Sequence, residues 1–242
     1  MEEFTFSIDG KKVSGRPGQT IMEAADEAGI YIPRLCSHKK TGPHGSCRIC
    51  MVIVNGRPQA ACIQPAAKGI NVENNTEFLL EIRRALFDML FIEGNHYCMF
   101  CEKSGECELQ ALGYRLGVLA SQFPFIYPKR DVDASHRNVF IEHNRCILCA
   151  RCVHASKDID KKEVFGFVNR GRHKKLAVNK RDGAAGTNLD RHDMAVRVCP
   201  VGTLMPKHAG YRVPIGRRVY DKLVIGHEIE SSAKAEKQGE NE

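Results

Sequence analysis

The chain has 242 residues, 43% hydrophobic and 27% charged, with a formal net charge of +7. No run of about 18 apolar residues is present, so no membrane-spanning helix is expected. The start Met1-Glu2-Glu3 lacks the basic and apolar regions of a secretory signal, and a reduced, cytoplasmic chain is expected. The positive charge is spread along the sequence without an arginine-rich arm or recognition-helix pattern, so no nucleic-acid partner is expected. Clusters at 170–175, Lys180-Arg181 and Arg217-Arg218 read as solvated faces or docking patches for an acidic protein partner.

In chain order, 4–8 alternates, Asp9-Gly10 turns, and 11–13 returns, a hairpin pattern. Thr20 and Glu23 form a capping box before a helix that Gly29 can close. A loop from Cys36 to Cys50 follows, then a second hairpin from 51–54 through Asn55-Gly56 toward Cys62, and a last strand at 70–72. Together these predict a β-grasp domain over 1–75. An amphipathic helix is predicted over 77–93, with Phe78, Leu79, Ile82, Leu86, Met89 and Leu90 at helical spacing. A cysteine loop and a short helix at 108–117 complete a helical segment over 76–120. Residues 123–128 read as an extended aromatic linker, because each residue before a proline is pushed from the helical region.

The remaining expectations are strands at 138–142, 164–168 and 175–178, and helices at 153–160 and 190–198, forming a lobe over 121–220. The tail over 221–242, polar toward its end, is expected to be largely disordered. The fold class is α+β.

The eleven cysteines divide into three groups with none left over. An odd count in a reduced chain favours metal over a closed disulfide framework. Cys36, Cys47, Cys50 and Cys62 resemble a plant-type [2Fe–2S] loop, although the first gap is longer than the usual one. Gly42, Gly45 and Ser46 lie in that gap, where backbone must pass close to inorganic sulfide. Cys98, Cys101 and Cys107 lack a fourth thiolate, and His96 stands just upstream as the candidate ligand of a [4Fe–4S] cluster; an open iron site or a ligand from a partner is the alternative. Cys146, Cys149 and Cys152 are two apart and close with the remote Cys199-Pro200, the pattern of a second [4Fe–4S] cluster. The alternative throughout is a zinc-stapled, non-redox interaction protein.

In order and type, these groups resemble the N-terminal part of the large iron–sulfur subunit of respiratory NADH dehydrogenase, with relatives in iron-only hydrogenases and NAD-dependent formate dehydrogenases. The stretches 93–98, Cys101-Glu-Lys-Ser-Gly-Glu-Cys107 and 210–218 are most similar to the diaphorase small subunits of cytosolic, bidirectional NAD-reducing [NiFe] hydrogenases. The likeness covers about 4–220. It departs at one place: the respiratory and iron-only relatives carry the histidine four residues before the first cysteine, where this chain has Gly94.

The resemblance implies an electron-transfer subunit of an oxidoreductase complex, with a flavin/NAD-binding diaphorase subunit and the small and large [NiFe] hydrogenase subunits as partners. Flavin and the nickel–iron centre would lie on those partners only. No G-x-G-x-x-G is present and no Cys-x2-Cys pair remains free for nickel, so no catalytic residue is expected in this chain. The equivalent subunit of a formate dehydrogenase or a respiratory-type NADH dehydrogenase is the alternative. Arg145, Arg151 and Arg217 are candidates for tuning cluster potentials, with ordinary surface pairing as the plainer reading. Segments 123–128 and 213–220 are candidate docking segments or simple intramolecular linkers.

Overall fold

A computed structural model describes residues 2–232. Strands β1 (Phe4–Ile8) and β2 (Lys11–Gly15) pair antiparallel across Asp9-Gly10, whose positive φ angles match a tight hairpin turn. Helix α1 (Ile21–Glu27) opens with the expected capping box: the Thr20 side chain accepts from the Glu23 N–H, and Glu23 accepts from the Thr20 N–H. Strands β3 (Met51–Val54) and β4 (Arg57–Ala60) form the second hairpin.

The short strand β5 (Asn71–Glu73) lies at the centre of the sheet, in the order β2-β1-β5-β3-β4, parallel to β1 and antiparallel to β3. It welds two local hairpins into one sheet, the β-grasp arrangement, and α1 buries Ile21, Met22, Ala24 and Ala25 in the same core as Phe6, Ile8, Val52 and Val72.

Helix α2 (Glu77–Ile92) forms as the apolar period requires, but its buried stripe is not the predicted one. Leu79, Arg83, Phe87, Asp88 and Ile92 are buried, whereas Phe78 and Met89 are exposed. Two buried charges rotate the helix. Arg83 donates to the backbone carbonyls of Met51 and Asn74 and to Asn74 Oδ1. Asp88 accepts from Ser121 Oγ and from the N–H groups of Gln122 and Phe123. Asp88 thereby pins the start of the largely exposed aromatic linker, and Phe125 packs edge-on to Phe91 at 5.8 Å. Helix α3 (Glu108–Leu116) ends at Gly117 in the left-handed conformation.

The last lobe is built on β7 (Val139–Glu142), flanked by two strands that were not expected, β6 (Val132–Asp133) and β10 (Leu204–Pro206). Helix α4 (Arg151–His154) runs into a π turn at Ala155–Ile159. Strands β8 (Phe165–Val168) and β9 (Lys175–Val178) make a separate ribbon. The helix expected over 190–198 shrinks to one turn, α5 (Met194–Arg197). Asp193 is extended, its carboxylate accepting from the Asp190 N–H and from Lys162.

The expectation of a largely disordered tail from 221 fails over its described part. After α6 (Val219–Lys222), residues 227–232 are helical, and Ile225 and Ile229 bury against Tyr31 and Ala111. Arg115 holds this end by donating to the Ile225 carbonyl and pairing with Glu230. Residues 233–242 of that expectation lie outside the described residues. Among the described residues no helix is long and apolar enough to cross a membrane.

Candidate metal centres

The first cysteine group is carried by the loop after α1 and by the ends of the β3–β4 hairpin. Cys36, Cys47, Cys50 and Cys62 are all buried. Their thiols share hydrogen bonds: those from Cys47 and Cys62 pull Cys36 below its ordinary range, while Cys47 and Cys62 are held above it. Gly45 has φ +67, and a Cβ there would lie 2.9 Å from the tip of the Ile63 side chain, so glycine is the residue that suits this turn beside the thiols without a shift of Ile63.

Arg83 lies on the inner side of this site. It is 5% exposed and bonds only to neutral oxygens, one of them the carbonyl of Met51 next to Cys50. Burial lowers its pKa to about 10, and the nearby Cys50 thiolate works against that shift. A buried cation with no carboxylate favours extra negative charge nearby. Arg83→Met is therefore expected to move the reduction potential of a cluster held by this group downward, with Arg83→Lys closer to wild type. Titration monitored by electron paramagnetic resonance checks it, and an unchanged midpoint in Arg83→Met would count against the coupling.

In the second group Cys101 and Cys107 are buried and Cys98 half-buried. Burial pushes the Cys107 thiol up to about 12. His96 stacks on Phe91 at 5.3 Å, and the Leu90 carbonyl accepts a hydrogen bond from its ring. Its Nε2 is buried without any hydrogen-bond partner. A Cβ on Gly94 would sit 2.5 Å from that Nε2 and 2.7 Å from the Asn144 carbonyl. The position four residues before Cys98 is thus empty so that the ring from two residues before it can fill the space.

Burial, followed by Arg145 and Arg130, lowers the His96 pKa to about 4 from the ordinary 6.5. The ring is neutral near pH 7, the state in which a lone pair is free for metal. In the unfolded chain it takes up a proton near pH 6.5, and in the folded chain only near pH 4. Its contribution to stability is complete above about 6.5 and is lost as pH falls through that window. The iron-free chain should therefore lose more urea resistance between pH 7 and pH 5 than its His96→Gln variant.

Of the third group, Cys146 and Cys149 lie in the loop between β7 and α4, where Leu148 and Ala150 are both at positive φ, Cys152 lies in α4, and Cys199 follows α5. Cys149, Cys152 and Cys199 are buried and Cys146 half-buried. All four line one small pocket with Phe167, Leu176, Val201 and Leu204. Burial raises Cys146 to about 11, and Cys149 and Cys152 further.

The three groups are tied together. Arg151, between Cys149 and Cys152, is 2% exposed. It donates to both carboxylate oxygens of Glu108 at 2.6 and 2.7 Å, to the Ser37 carbonyl at 3.0 Å and to the Val198 carbonyl at 3.4 Å. Ser37 follows Cys36, Glu108 follows Cys107, and Val198 precedes Cys199. One guanidinium therefore touches a neighbour of a cysteine in every group. The Glu108 N–H also donates to the Pro200 carbonyl at 2.8 Å, and a Cβ on Gly202 would meet Cys101 Sγ at 2.9 Å.

Arg145 joins the same seam through Glu102 and the Gly202 carbonyl. Arg217 is exposed; its neighbour Arg218 reaches the second loop instead, donating to the Ser104 carbonyl. With Tyr220 N–H bonded to the Gly105 carbonyl, segment 213–220 is anchored at its end, while Ile215 stays 85% exposed.

Sequence reasoning missed Arg83, Asp88 and Glu108. Their only signal was charge on helices otherwise facing the core. The donor sets fit iron–sulfur clusters: gathered thiols in apolar pockets, and one neutral imidazole with an orphaned nitrogen.

Residues 1–77 match a 2Fe-2S iron-sulfur cluster binding domain, 83–122 an NADH-ubiquinone oxidoreductase-G iron-sulfur binding region, and 137–205 the ferredoxin-like domain of NADH-quinone oxidoreductase subunit 3. The chain is 42% identical to the NAD-reducing hydrogenase HoxS subunit gamma of Cupriavidus necator, over 89% of this chain and 92% of that one. It is 32% identical to the mitochondrial NADH-ubiquinone oxidoreductase 78 kDa subunit of Candida albicans, covering 88% of this chain but 30% of that protein. Among solved structures, a crystal structure of an NAD+-reducing [NiFe]-hydrogenase in the H2-reduced state matches with TM-score 0.88 and 48% identity, over 90% of this chain and 93% of that one. The chain belongs to the family of the HoxS gamma subunit of NAD-reducing hydrogenase, and shares its cluster-binding modules with the NADH-quinone oxidoreductase G subunits.

Proposed function

We propose that this chain is the electron-transfer subunit of a hydrogen:NAD oxidoreductase, placed between a flavin/NAD-binding diaphorase subunit and the small and large subunits of a [NiFe] hydrogenase. Cys36, Cys47, Cys50 and Cys62 would hold a [2Fe–2S] cluster. His96, Cys98, Cys101 and Cys107 would hold one [4Fe–4S] cluster, and Cys146, Cys149, Cys152 and Cys199 another. When bound, these clusters supply one-electron carriers between two-electron hydride and hydrogen chemistry on the partners. The carrying observation is that every cysteine of the chain falls into one of three loops joined by the Arg151–Glu108 pair.

The chain's own residues fix the loops relative to one another and exclude water from the thiols. His96 contributes a neutral donor, and Arg83 and Arg151 supply buried positive charge beside the first and third groups. The higher identity to the hydrogenase subunit, 42% against 32% to the respiratory protein, favours the hydrogenase assembly over the formate or respiratory one. A cytoplasmic location accords with that assembly.

Anaerobic purification of the tagged chain from its host tests the reading. A flavoprotein and nickel should co-elute, the complex should reduce NAD with hydrogen, and this chain should contribute about ten irons. An intact flavin-containing complex that reduces NAD with formate and never with hydrogen would assign the chain to another dehydrogenase.

A further inference from the structure

Beside the third cysteine group lies a cavity of about 310 Å3 that the electron-transfer role leaves unexplained. Six cations line it: Lys129, Arg130, Lys174, Lys175, Lys180 and Arg181. Among the described residues none of the six forms an ion pair within 4.0 Å. Two carboxylates share the lining, Asp131 and Asp133. Asp133 is already committed, accepting from the Ser135 N–H and hydroxyl and from the Ala184 N–H. The buried Nδ1 of His143, another lining residue, has no hydrogen-bond partner. Cys146, the one half-buried cysteine of its group, reaches the same cavity.

One wall is a sheet edge. Five consecutive residues, Lys174–Val178, line the cavity and include all of β9. Strand β9 pairs with β8 alone. The Asn179 N–H donates to the Val164 carbonyl at 2.8 Å, which sets the phase of the ladder. Alternate residues Ala177 and Lys175 then exchange bonds with β8, so the N–H and C=O of Leu176 and Val178 point away from it. The lining also includes Asp131 and, in β6, Asp133; β6 is itself the outermost strand of its sheet. Leu176 is 2% exposed, so the accessible part of this edge is at Val178, and an unpaired edge is a template for another strand.

We propose that this edge receives an extended, carboxylate-rich segment of a partner subunit, which adds a strand to β9 and places its acidic side chains among the six cations, next to Cys146. Lys129, Lys175, Lys180 and Arg181 are exposed. They are long side chains in solvent at the rim of a strand edge, an arrangement that meets a peptide's many carboxylates rather than enclosing one small anion. The proposal rests on the subunit role above for the identity of the partner, but the chemistry of the site can be read on the chain alone.

Two variants separate charge from backbone. A triple charge reversal, Lys175→Glu with Lys180→Glu and Arg181→Glu, removes the attraction. Val178→Pro removes one outward N–H and no bond of the β8–β9 ladder. A control triple, Lys11→Glu with Lys12→Glu and Lys68→Glu, makes the same charge change at other exposed positions. Cluster spectra of each variant verify the fold.

The iron-loaded full chain is titrated with an oligoglutamate peptide, and the purified complex is probed for lysine acetylation and for the salt at which the chain dissociates. The expected result is peptide binding weakened about tenfold or more by either test variant and little by the control, with Lys175 and Lys180 protected in the complex. Equal effects of test and control triples would overturn the proposal. So would full reactivity of those lysines in an active complex, or protection of the lysines by inorganic pyrophosphate but not by the peptide. Binding of the peptide at this edge without assembly of any flavin- or nickel-containing complex would uphold the site and overturn the subunit role instead.

Discussion

Glu108→Gln is expected to destabilise the folded chain by about 3–5 kcal/mol when iron is absent, because it strands a buried guanidinium without its carboxylate. Arg151 is 2% exposed, and its other partners, the carbonyls of Ser37 and Val198, are neutral. The pair is bidentate, so one of its strongest bonds becomes a weaker one to the amide oxygen and the other is lost against the amide NH2. Loaded clusters carry negative charge near Cys149 and Cys199, which lie within electrostatic reach of Arg151. The loss should therefore be smaller in the iron-loaded chain. Thermal unfolding with and without iron measures the difference. Replacing both partners with apolar residues of similar volume should recover much of the stability but not the spectra, since all three loops lose their common tether. If Glu108→Gln melts with wild type and leaves all three resonance signals unchanged, Arg151 is not the link between the sites.

The second large effect is expected at a residue without a side chain. Gly94→Ala should cost the chain one [4Fe–4S] cluster, about four of about ten irons, while the other two signals persist. The φ of Gly94 is not positive, so backbone strain is not the cause; space is. The new Cβ would come within 2.5 Å of His96 Nε2 and 2.7 Å of a backbone carbonyl that cannot swing aside. The ring must leave its stack on Phe91, and its nitrogen goes with it. His96→Ala should give the same iron content. Full iron in Gly94→Ala would dissociate the imidazole position from the centre.

The parts of the molecule that were readable from sequence are those with local causes. The hairpins at Asp9-Gly10 and Asn55-Gly56, the Thr20 capping box and the Gly117 stop each depend on a few neighbouring residues, and each appears where expected. The gathering of cysteines was likewise readable, because loop ligands carry their spacing with them. What escaped has long-range causes. Strand β5 appears beside the expected 70–72, but its central place comes from pairing with β1 and β3, which its own three residues do not announce. Strand β10 exists because β7 offers it an edge. The face of α2 is decided by Arg83 and Asp88, which choose backbone groups of the β-grasp domain and of the linker over water. Arg151 looked like a surface residue near a cluster loop, and nothing adjacent to it in sequence announces Glu108 or Ser37.

The seat of Ile225 and Ile229 against Tyr31 has a consequence for how the molecule is made. Tyr31 lies between the guanidinium groups of Arg34 and Arg115, and its remaining cover comes from the last described turn of the chain. Synthesis proceeds from the N-terminus, and early domains fold first. While a ribosome still holds residues 225–229, the β-grasp domain can be complete yet keep this aromatic surface open to water. A nascent chain paused before residue 225 would thus present a hydrophobic handle to chaperones that the emerged segment withdraws.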